Sequence, residues 1–154
     1  MKKAPSSIPD GMTLALDQAK AAAERGEVPV GAALLDENGA LITAFGNRVE
    51  QDRDPTAHAE MLTLRAGAAQ LGLKRLAGCD LYVSLEPCPM CAAAISLARI
   101  RRLYFAAYDP KGGGVEHGPC IFDQPTCHHR PEVYGGIGER AAAALLRKFF
   151  RARR

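Results

Sequence analysis

Side chains of the kind that bind zinc occur in two short segments of this sequence. The first contains His58 and, two residues later, Glu60; the second contains Cys88 and Cys91 on either side of a Pro-Met pair. Cys88 and Cys91 are three positions apart in the first turn of a predicted helix, so their side chains share one face. The positive end of that helix lowers thiol pKa values. Two thiolates and one imidazole provide three zinc ligands and leave a fourth position for water, as in catalytic sites.

The position of Glu60 restricts how its helix can face such a metal. Two residues correspond to about 200° of rotation in a regular helix, so His58 and Glu60 point in different directions. Both can approach one metal only if the helix presents its N-terminal end to the site. Asp54 and Pro55 predict such a start, as an N-cap residue followed by proline at the first helical position. We therefore expect His58 in the opening turn and two helix N-termini directed at the metal.

Other interpretations of the cysteines are weaker. A Cys-x-x-Cys pair also occurs in redox proteins and in structural zinc sites with four cysteines. Here the intervening Pro-Met pair, the absence of a thioredoxin-like context and the accompanying His-x-Glu favour catalytic zinc. Cys120 and Cys127 do not repeat the tight spacing, and Cys79, at the start of a strand, is predicted to be a buried apolar residue.

Periodicity and turn residues predict the elements that position these groups. The order is α-β-β-α-β-α-β-loop-α, which indicates an α/β domain with a mixed sheet and a right-handed parallel crossover over 80–107. A long ordered loop rich in Gly, Pro and His is expected over 109–130. The predicted helices are 11–24, 55–71, 87–98 and 137–151, and the predicted strands are 28–35, 40–45, 80–85 and 102–107.

Length and composition restrict the class of protein. With 154 residues, of which 47% are hydrophobic, the chain is expected to form one domain over 1–154, with residues 1–9 flexible. The longest apolar run, 141–146, is far shorter than a membrane span, and no secretory signal is visible at the N-terminus. Five cysteines without an export signal indicate a reducing compartment, and we expect the protein in the cytoplasm.

Positive charge is concentrated at the C-terminus. Residues 137–154 contain six basic residues and one acidic residue, a net charge of +5, whereas the other 136 residues carry −2. A basic end on a near-neutral body suggests an anionic partner such as nucleic acid. The alternative is a solvated helix end whose cations stabilise the helix dipole.

The order H-x-E and then P-C-x-x-C is the pattern of the zinc nucleobase deaminases. Beyond this motif, the sequence resembles the bacterial tRNA-specific adenosine deaminases of the cytidine deaminase-like superfamily, from about residue 12 to residue 154. The resemblance implies a three-layer α/β fold with a mixed central sheet flanked by helices. The matching stretches are EVPVGAALL, GNR, DPTAHAE, LYVSLEPCPMCAAAI, RIRRLYFAAYDPK and KFFRARR.

The resemblance also implies a mechanism. His58, Cys88 and Cys91 would hold one zinc ion per chain, and Glu60 would carry a proton from water to the purine ring. The backbone amides of Ala59 and Cys88 would stabilise the developing charge. The reaction would convert adenosine to inosine at the wobble position of a tRNA anticodon, with an arginine tRNA as the expected substrate.

Substrate contacts and assembly are further expectations from the resemblance. Asn47 would bind the flipped nucleoside, and Asp109 and Lys111 would meet the sugar or neighbouring nucleotides. Phe150 and Arg154 would contact flanking bases or phosphates, although packing of the last helix is an alternative role for Phe149 and Phe150. The protein would be a homodimer, with a helix patch at Ala92, Ala93, Ala94 and Ile95 as either interface or core.

One position departs from the family pattern. Many members have Asn before a His-Arg pair, whereas this chain has His128 followed by His129 and Arg130. The departure puts RNA contact at His128 in question. With His117, the loop contains three histidines, which could form a second metal site but more simply are solvated or bonded within the core.

Two other functions compete with tRNA editing. A deaminase of a free nucleobase or nucleoside, of the guanine or cytosine type, would share the zinc motif but would have no use for a basic tail. A catalytically silent RNA-binding subunit would typically lack the glutamate of His-x-Glu, and this chain retains Glu60.

Overall fold

A five-stranded mixed sheet forms the centre of the protein in the computed structural model, which describes residues 8–154. The strand order is β2-β1-β3-β4-β5; β1 is antiparallel to β2 and β3, and β3, β4 and β5 are parallel. The strands are β1 Gly31–Leu35, β2 Leu41–Gly46, β3 Asp80–Leu85, β4 Arg102–Ala107 and β5 Glu132–Gly135. The helices are α1 Asp10–Glu24, α2 Val49–Asp52, α3 Ala59–Leu71, α4 Pro89–Leu97 and α5 Glu139–Arg151.

Helices cover both faces of the sheet and create two hydrophobic cores. On one face α3 and α4 contribute Leu64 and Ile95 to a core that also contains Leu81 and Phe105. On the other face α1 and α5 pack through Met12 and Ala142. The three-layer α/β architecture and the mixed sheet expected from the sequence are confirmed. None of the helices in residues 8–154 is long and apolar enough to cross a bilayer.

Close contact between α1 and β1 depends on Gly31. A Cβ atom at this position would lie 2.0 Å from the carbonyl oxygen of Ala15. The small residue therefore lets the helix backbone lie directly on the strand. On the same side of the sheet, three tyrosine rings stack in register across the parallel strands, with centroids 4.3 Å apart for Tyr82 and Tyr104 and 5.0 Å apart for Tyr104 and Tyr134.

The predicted strands 80–85 and 102–107 coincide with β3 and β4, whereas the start of α3 was predicted wrongly. The helix begins at Ala59 rather than at Pro55. The Asp54 carboxylate accepts hydrogen bonds from the backbone N–H and the hydroxyl of Thr56, at 2.8 and 2.7 Å. These local bonds hold residues 54–57 in a turn that competes with the helix. His58 is consequently the N-cap residue of α3, not a member of its first turn.

One α-helix and one strand were not predicted. The short helix α2 follows Asn47 and Arg48, and the four-residue strand β5 follows the long loop. β5 is stabilised by parallel pairing with β4, a long-range interaction that four residues of sequence cannot reveal. Residues 1–7, most of the segment expected to be flexible, lie outside the described residues.

Candidate zinc site and substrate cavity

The three proposed zinc ligands meet where the N-termini of α3 and α4 converge. His58 is the N-cap residue of α3 and Cys88 is the N-cap residue of α4, with Pro89 at the first helical position after it. The two helices therefore present their positive ends to one point, as expected. Among residues 8–154, His58, Cys88 and Cys91 are the one group of metal-binding side chains close enough to hold an ion.

The spacing of the ligand atoms fits zinc. His58 Nδ1 lies 3.6 Å from Cys88 Sγ and 3.5 Å from Cys91 Sγ. Tetrahedral zinc, with bonds of about 2.3 Å to sulfur and about 2.0 Å to nitrogen, separates these atoms by roughly 3.5–3.6 Å. One imidazole and two thiol groups at this spacing form a three-ligand site and leave one coordination position for water.

The pKa values of the two cysteine thiols are shifted in opposite directions. The hydrogen bond from Cys91, with a further contribution from His58, lowers the pKa of the Cys88 thiol to about 4. The same hydrogen bond, together with burial, raises the pKa of Cys91. The lowered pKa favours the thiolate form of Cys88, which is the form in which cysteine binds a metal.

Glu60 lies beside the ligand trio with a carboxylate suited to proton transfer. Its side chain is 3% exposed, and burial raises its pKa above the ordinary value. Within the described chain, Glu60 Oε1 is buried and has no hydrogen-bond partner. Because an unpaired buried carboxylate oxygen is costly, such an atom indicates a missing partner such as water or substrate.

A cavity of about 680 Å³ opens above these groups. Its lining includes the two helix N-termini, the segment around Asn47, the loop at Asp109, and the last turn of α5. Of the predicted substrate contacts, Asn47 and Asp109 line the cavity, whereas Lys111, Phe150 and Arg154 do not. The lining residues are Gly26, Glu27, Val28, Val30, Asn47, Val49, Glu50, His58, Glu60, Leu85, Glu86, Cys88, Asp109, Gly112, Phe149 and Arg153.

Asn47 is fixed between the first hairpin and α3. Its Oδ1 accepts the N–H of Ala59 at 2.8 Å, its N–H donates to the carbonyl of Val30, and its own carbonyl accepts a bond from Arg25. The bond to Ala59 orients the amide so that the Nδ2 donors remain for a ligand. The Ala59 amide, expected to stabilise charge in the reaction, is engaged by Asn47 in this structure.

Two buried glutamates that were not singled out from the sequence hold the cavity walls. Glu27 accepts the N–H groups of Glu50 and Gln51, at 3.1 and 2.8 Å, and so ties α2 to the end of α1. Glu86, which is 2% exposed, accepts bonds from the long loop after β4. Its five donors are the N–H groups of Asp109, Val115, Glu116 and His117 and the ring Nδ1 of His117.

The loop could not approach Glu86 without its glycines. A Cβ atom at Gly113 would lie 2.3 Å from Glu86 Oε2, and one at Gly114 would lie 2.6 Å from the Pro89 nitrogen. Glu86 directly follows the buried strand β3 and precedes the cysteine motif. An acidic residue at that point of the sequence is a signal that could have identified it.

The histidines of the loop have structural roles or lie elsewhere. His117 is bonded to Glu86, and His129 Nε2 donates to the carbonyl of Ile100 at 2.7 Å. His128 lines a separate shallow groove with Leu97 and Ile121. Within the described part of the chain the loop histidines form no metal-binding group, so the structure provides no second site there. Cys79 is buried, as predicted.

Phe149 and Phe150 of the C-terminal helix lie on different sides of that helix. Phe149, not Phe150, faces the cavity, and Arg153 lies over its ring with the guanidinium carbon 3.5 Å from the ring centroid. Phe149 is 8% exposed and Phe150 is 51% exposed. Phe150 and Arg154 line a different surface together with Arg147 and Arg151. Apolar spacing at Ala142, Leu145, Leu146 and Phe149 is a helical pattern that could have identified the inward phenylalanine.

Comparison with known proteins agrees with this geometry. Residues 6–107 match the family described as the cytidine and deoxycytidylate deaminase zinc-binding region. The chain belongs to this deaminase family. It is 57% identical over 143 residues to the tRNA-specific adenosine deaminase of Agrobacterium fabrum, covering 93% of each chain.

The deaminase is similar in structure to two kinds of enzyme. One comes from a study of A-to-I editing by tRNA:A34 deaminases at the wobble position of transfer RNA; its TM-score is 0.86 at 56% identity, covering 88% of this chain and 98% of that chain. The guanine deaminase from Nitrosomonas europaea has a TM-score of 0.78 at 28% identity, covering 96% of this chain and 88% of that chain. The fold is thus common to enzymes with different substrates.

Proposed function

We propose that this chain is a zinc-dependent hydrolase that converts adenosine to inosine at the wobble position of a tRNA anticodon. The observation that carries the proposal is the buried Glu60 carboxylate, whose Oε1 has no partner in the described chain, beside the three ligand side chains on the floor of an open cavity. The 57% identity to a tRNA-specific adenosine deaminase supports the substrate. We further propose an arginine tRNA as the one that is edited.

The protons of the reaction move through Glu60. His58, Cys88 and Cys91 would hold a zinc ion, which would lower the pKa of a bound water molecule to about 7. Glu60 accepts a proton from this water and donates it to N1 of the adenine ring, while the hydroxyl oxygen bonds to C6. Glu60 then transfers the proton of the new C6 hydroxyl to N6, the C6–N6 bond breaks, and the amine leaves as ammonia. The reaction consumes one water and leaves an oxygen at C6, which is inosine.

The walls of the cavity bind and orient the nucleotide. Asn47 offers its Nδ2 donors to the base or ribose, because its Oδ1 is already occupied by Ala59. Asp109, which lines the cavity, meets the sugar, and the exposed Lys111 meets a neighbouring nucleotide. The backbone amide of Cys88 at the start of α4 stabilises developing negative charge, and the Ala59 amide does so only if it exchanges its bond with Asn47.

The exposed face of the C-terminal helix contacts RNA beyond the cavity. Phe150 is available to stack on a flanking base, and Arg154 adds positive charge on the same surface. Stacking of an unpaired base on an aromatic ring contributes about 1–3 kcal/mol.

The test is to incubate the zinc-loaded protein with an arginine anticodon stem-loop and to sequence the product for inosine. Inosine at the wobble adenosine alone is the expected result, and a stem-loop with guanosine at that position is the matched control. Free adenosine, guanine and cytosine are assayed in parallel. Rapid ammonia release from a free base with an unchanged stem-loop would instead place the enzyme with the small-molecule deaminases.

The proposal also includes a homodimer. Ala92 and Ile95 of the α4 patch are buried in the core, whereas Leu97 is 71% exposed beside Ala93 in a surface groove, which supports a homodimer formed through this side of α4. Analytical ultracentrifugation of the wild type and of Leu97→Asp tests this assembly.

The five cysteines are free thiols, which suits a cytoplasmic protein with a single domain over 1–154.

A further inference from the structure

A second groove lies between α1 and α5 and adjoins the catalytic cavity. Its volume is about 440 Å³. Phe149 and Arg153 line both spaces, so the groove begins at the mouth of the cavity. The lining residues are Lys20, Ala23 and Glu24 from α1, and Leu145, Lys148, Phe149, Ala152 and Arg153 from α5 and its C-terminal end.

The groove is positively charged and its cations are free to bind a ligand. Lys20, Lys148 and Arg153 are exposed, and Glu24 is the one acidic residue in the lining. Within residues 8–154 no carboxylate lies at ion-pairing distance from any of the three cations. Three cations from α1 and the C-terminal end of the chain therefore face one channel that contains a single acidic residue, which favours binding of an anion.

Arg153 is held at the junction of the groove and the cavity. Its guanidinium carbon lies 3.5 Å from the centroid of the buried Phe149 ring, and its Nη2 lies 3.7 Å from the position of a Cβ atom on Gly26. A planar guanidinium stacked on a ring keeps its N–H donors in the plane of the group. These donors can bind two oxygens of one phosphate.

We propose that the α1–α5 groove binds the phosphodiester backbone of the RNA next to the nucleotide in the cavity. Arg153 receives the phosphate at the junction, and Lys20 and Lys148 receive phosphates further along the strand. The inference rests on the proposed function, because only a polymeric substrate extends out of the cavity. It gives the RNA a path along α1, on a different side of α5 from Phe150 and Arg154.

Kinetics of the full chain on the anticodon stem-loop test the groove. Lys20→Ala and Lys148→Ala are compared with Lys74→Ala, an exposed lysine just beyond the C-terminal end of α3. The 13 residues of α3 separate that end from the zinc site by about 20 Å, so Lys74 is a control of equal charge. For each variant KM and kcat are measured over a range of salt concentrations, and stem-loop binding is measured directly by fluorescence anisotropy.

The expected result is a several-fold increase in KM for each groove variant, with a much smaller change in kcat. The slope of log KM against log salt concentration should become shallower by about 0.7–0.9 for each lysine, because one phosphate contact is lost. Lys74→Ala should match the wild type in both respects. Arg153→Lys should bind more weakly than the wild type, since lysine cannot form the two parallel bonds.

The outcomes separate the groove from the proposed function. If both lysine variants form inosine with the KM and salt slope of the wild type, the proposal that the groove binds RNA is wrong and the proposed function is unaffected. If the groove variants bind the stem-loop more weakly but the wild type forms no inosine, RNA binding in the groove is supported and the proposed function is wrong.

Discussion

The floor and the walls of the catalytic cavity are built in different ways. The floor consists of His58, Glu60, Cys88 and Cys91, which lie at or within four residues of two helix N-termini. The walls come from segments far apart in sequence: the hairpin end at Asn47, the loop after β4 and the last turn of α5. The chemistry is therefore encoded locally, whereas recognition depends on long-range packing. Members of one family can accordingly share a floor and differ in substrate.

Replacing the proton carrier should have the largest effect. Glu60→Gln keeps the size of the side chain but removes its ability to accept a proton, so kcat should fall by roughly 10²–10⁴-fold. Zinc content, measured by mass spectrometry of the metal, should stay near one ion per chain because Glu60 is not a ligand. Loss of zinc together with activity would contradict this division between ligands and proton carrier.

Removing a ligand should eliminate both metal and activity. Cys91→Ala is expected to reduce zinc content to near zero and to abolish inosine formation, because two ligands cannot hold the ion in place. Cys79→Ala is the matched control, since Cys79 is also buried but lies outside the site. The control should retain zinc and lose only about 1 kcal/mol of unfolding free energy. Retention of zinc by Cys91→Ala would show that the ligand set is wrong.

A substitution of Glu86 in the cavity wall should loosen the loop after β4 and leave the zinc site unchanged. Glu86→Gln keeps one acceptor oxygen but removes the charge and places an NH₂ group among five donors. The free energy of unfolding should fall by roughly 2–4 kcal/mol. Hydrogen exchange at the amides of residues 115–117 should accelerate, while zinc content should remain near one.

His117→Ala provides the graded comparison for Glu86. It removes only the ring donor of the five, so the loss should be about 1 kcal/mol and exchange should accelerate less. Equal exchange rates in the wild type and Glu86→Gln would contradict the role of Glu86 as the anchor of this loop.

Substitutions of the two adjacent phenylalanines of α5 should have different effects, and the smallest change in stability is expected at Phe150. Phe149→Ala removes a buried ring and should lower the free energy of unfolding by about 3–5 kcal/mol. Phe150→Ala should change stability by no more than about 0.5 kcal/mol, because the ring is exposed. If Phe150 stacks on a base, that variant should instead weaken RNA binding by about 1–3 kcal/mol. Unchanged stem-loop affinity would remove Phe150 from the proposed contacts.

What could be predicted follows the same division between floor and walls. Ligand types, their spacing and the central strands depend on residues close in sequence, and β3 and β4 were predicted to the residue. The start of α3 was missed because Asp54 forms a local turn with Thr56. Which phenylalanine of α5 faces the cavity was left open, because a resemblance does not fix helix phase. The anchoring roles of Glu27 and Glu86 depend on segments more than 20 residues away.

The tyrosine stack across the parallel strands gives the protein an intrinsic spectroscopic signal. The chain has no tryptophan and four tyrosines, of which Tyr82, Tyr104 and Tyr134 form the stack on the sheet. The fourth, Tyr108, packs edge-on against Phe105 and His117, beside the loop anchored by Glu86. The difference in near-ultraviolet circular dichroism between the wild type and Tyr108→Phe therefore reports on the loop, and the signal that remains in Tyr108→Phe reports on the sheet. The two movements can thus be distinguished without an added label.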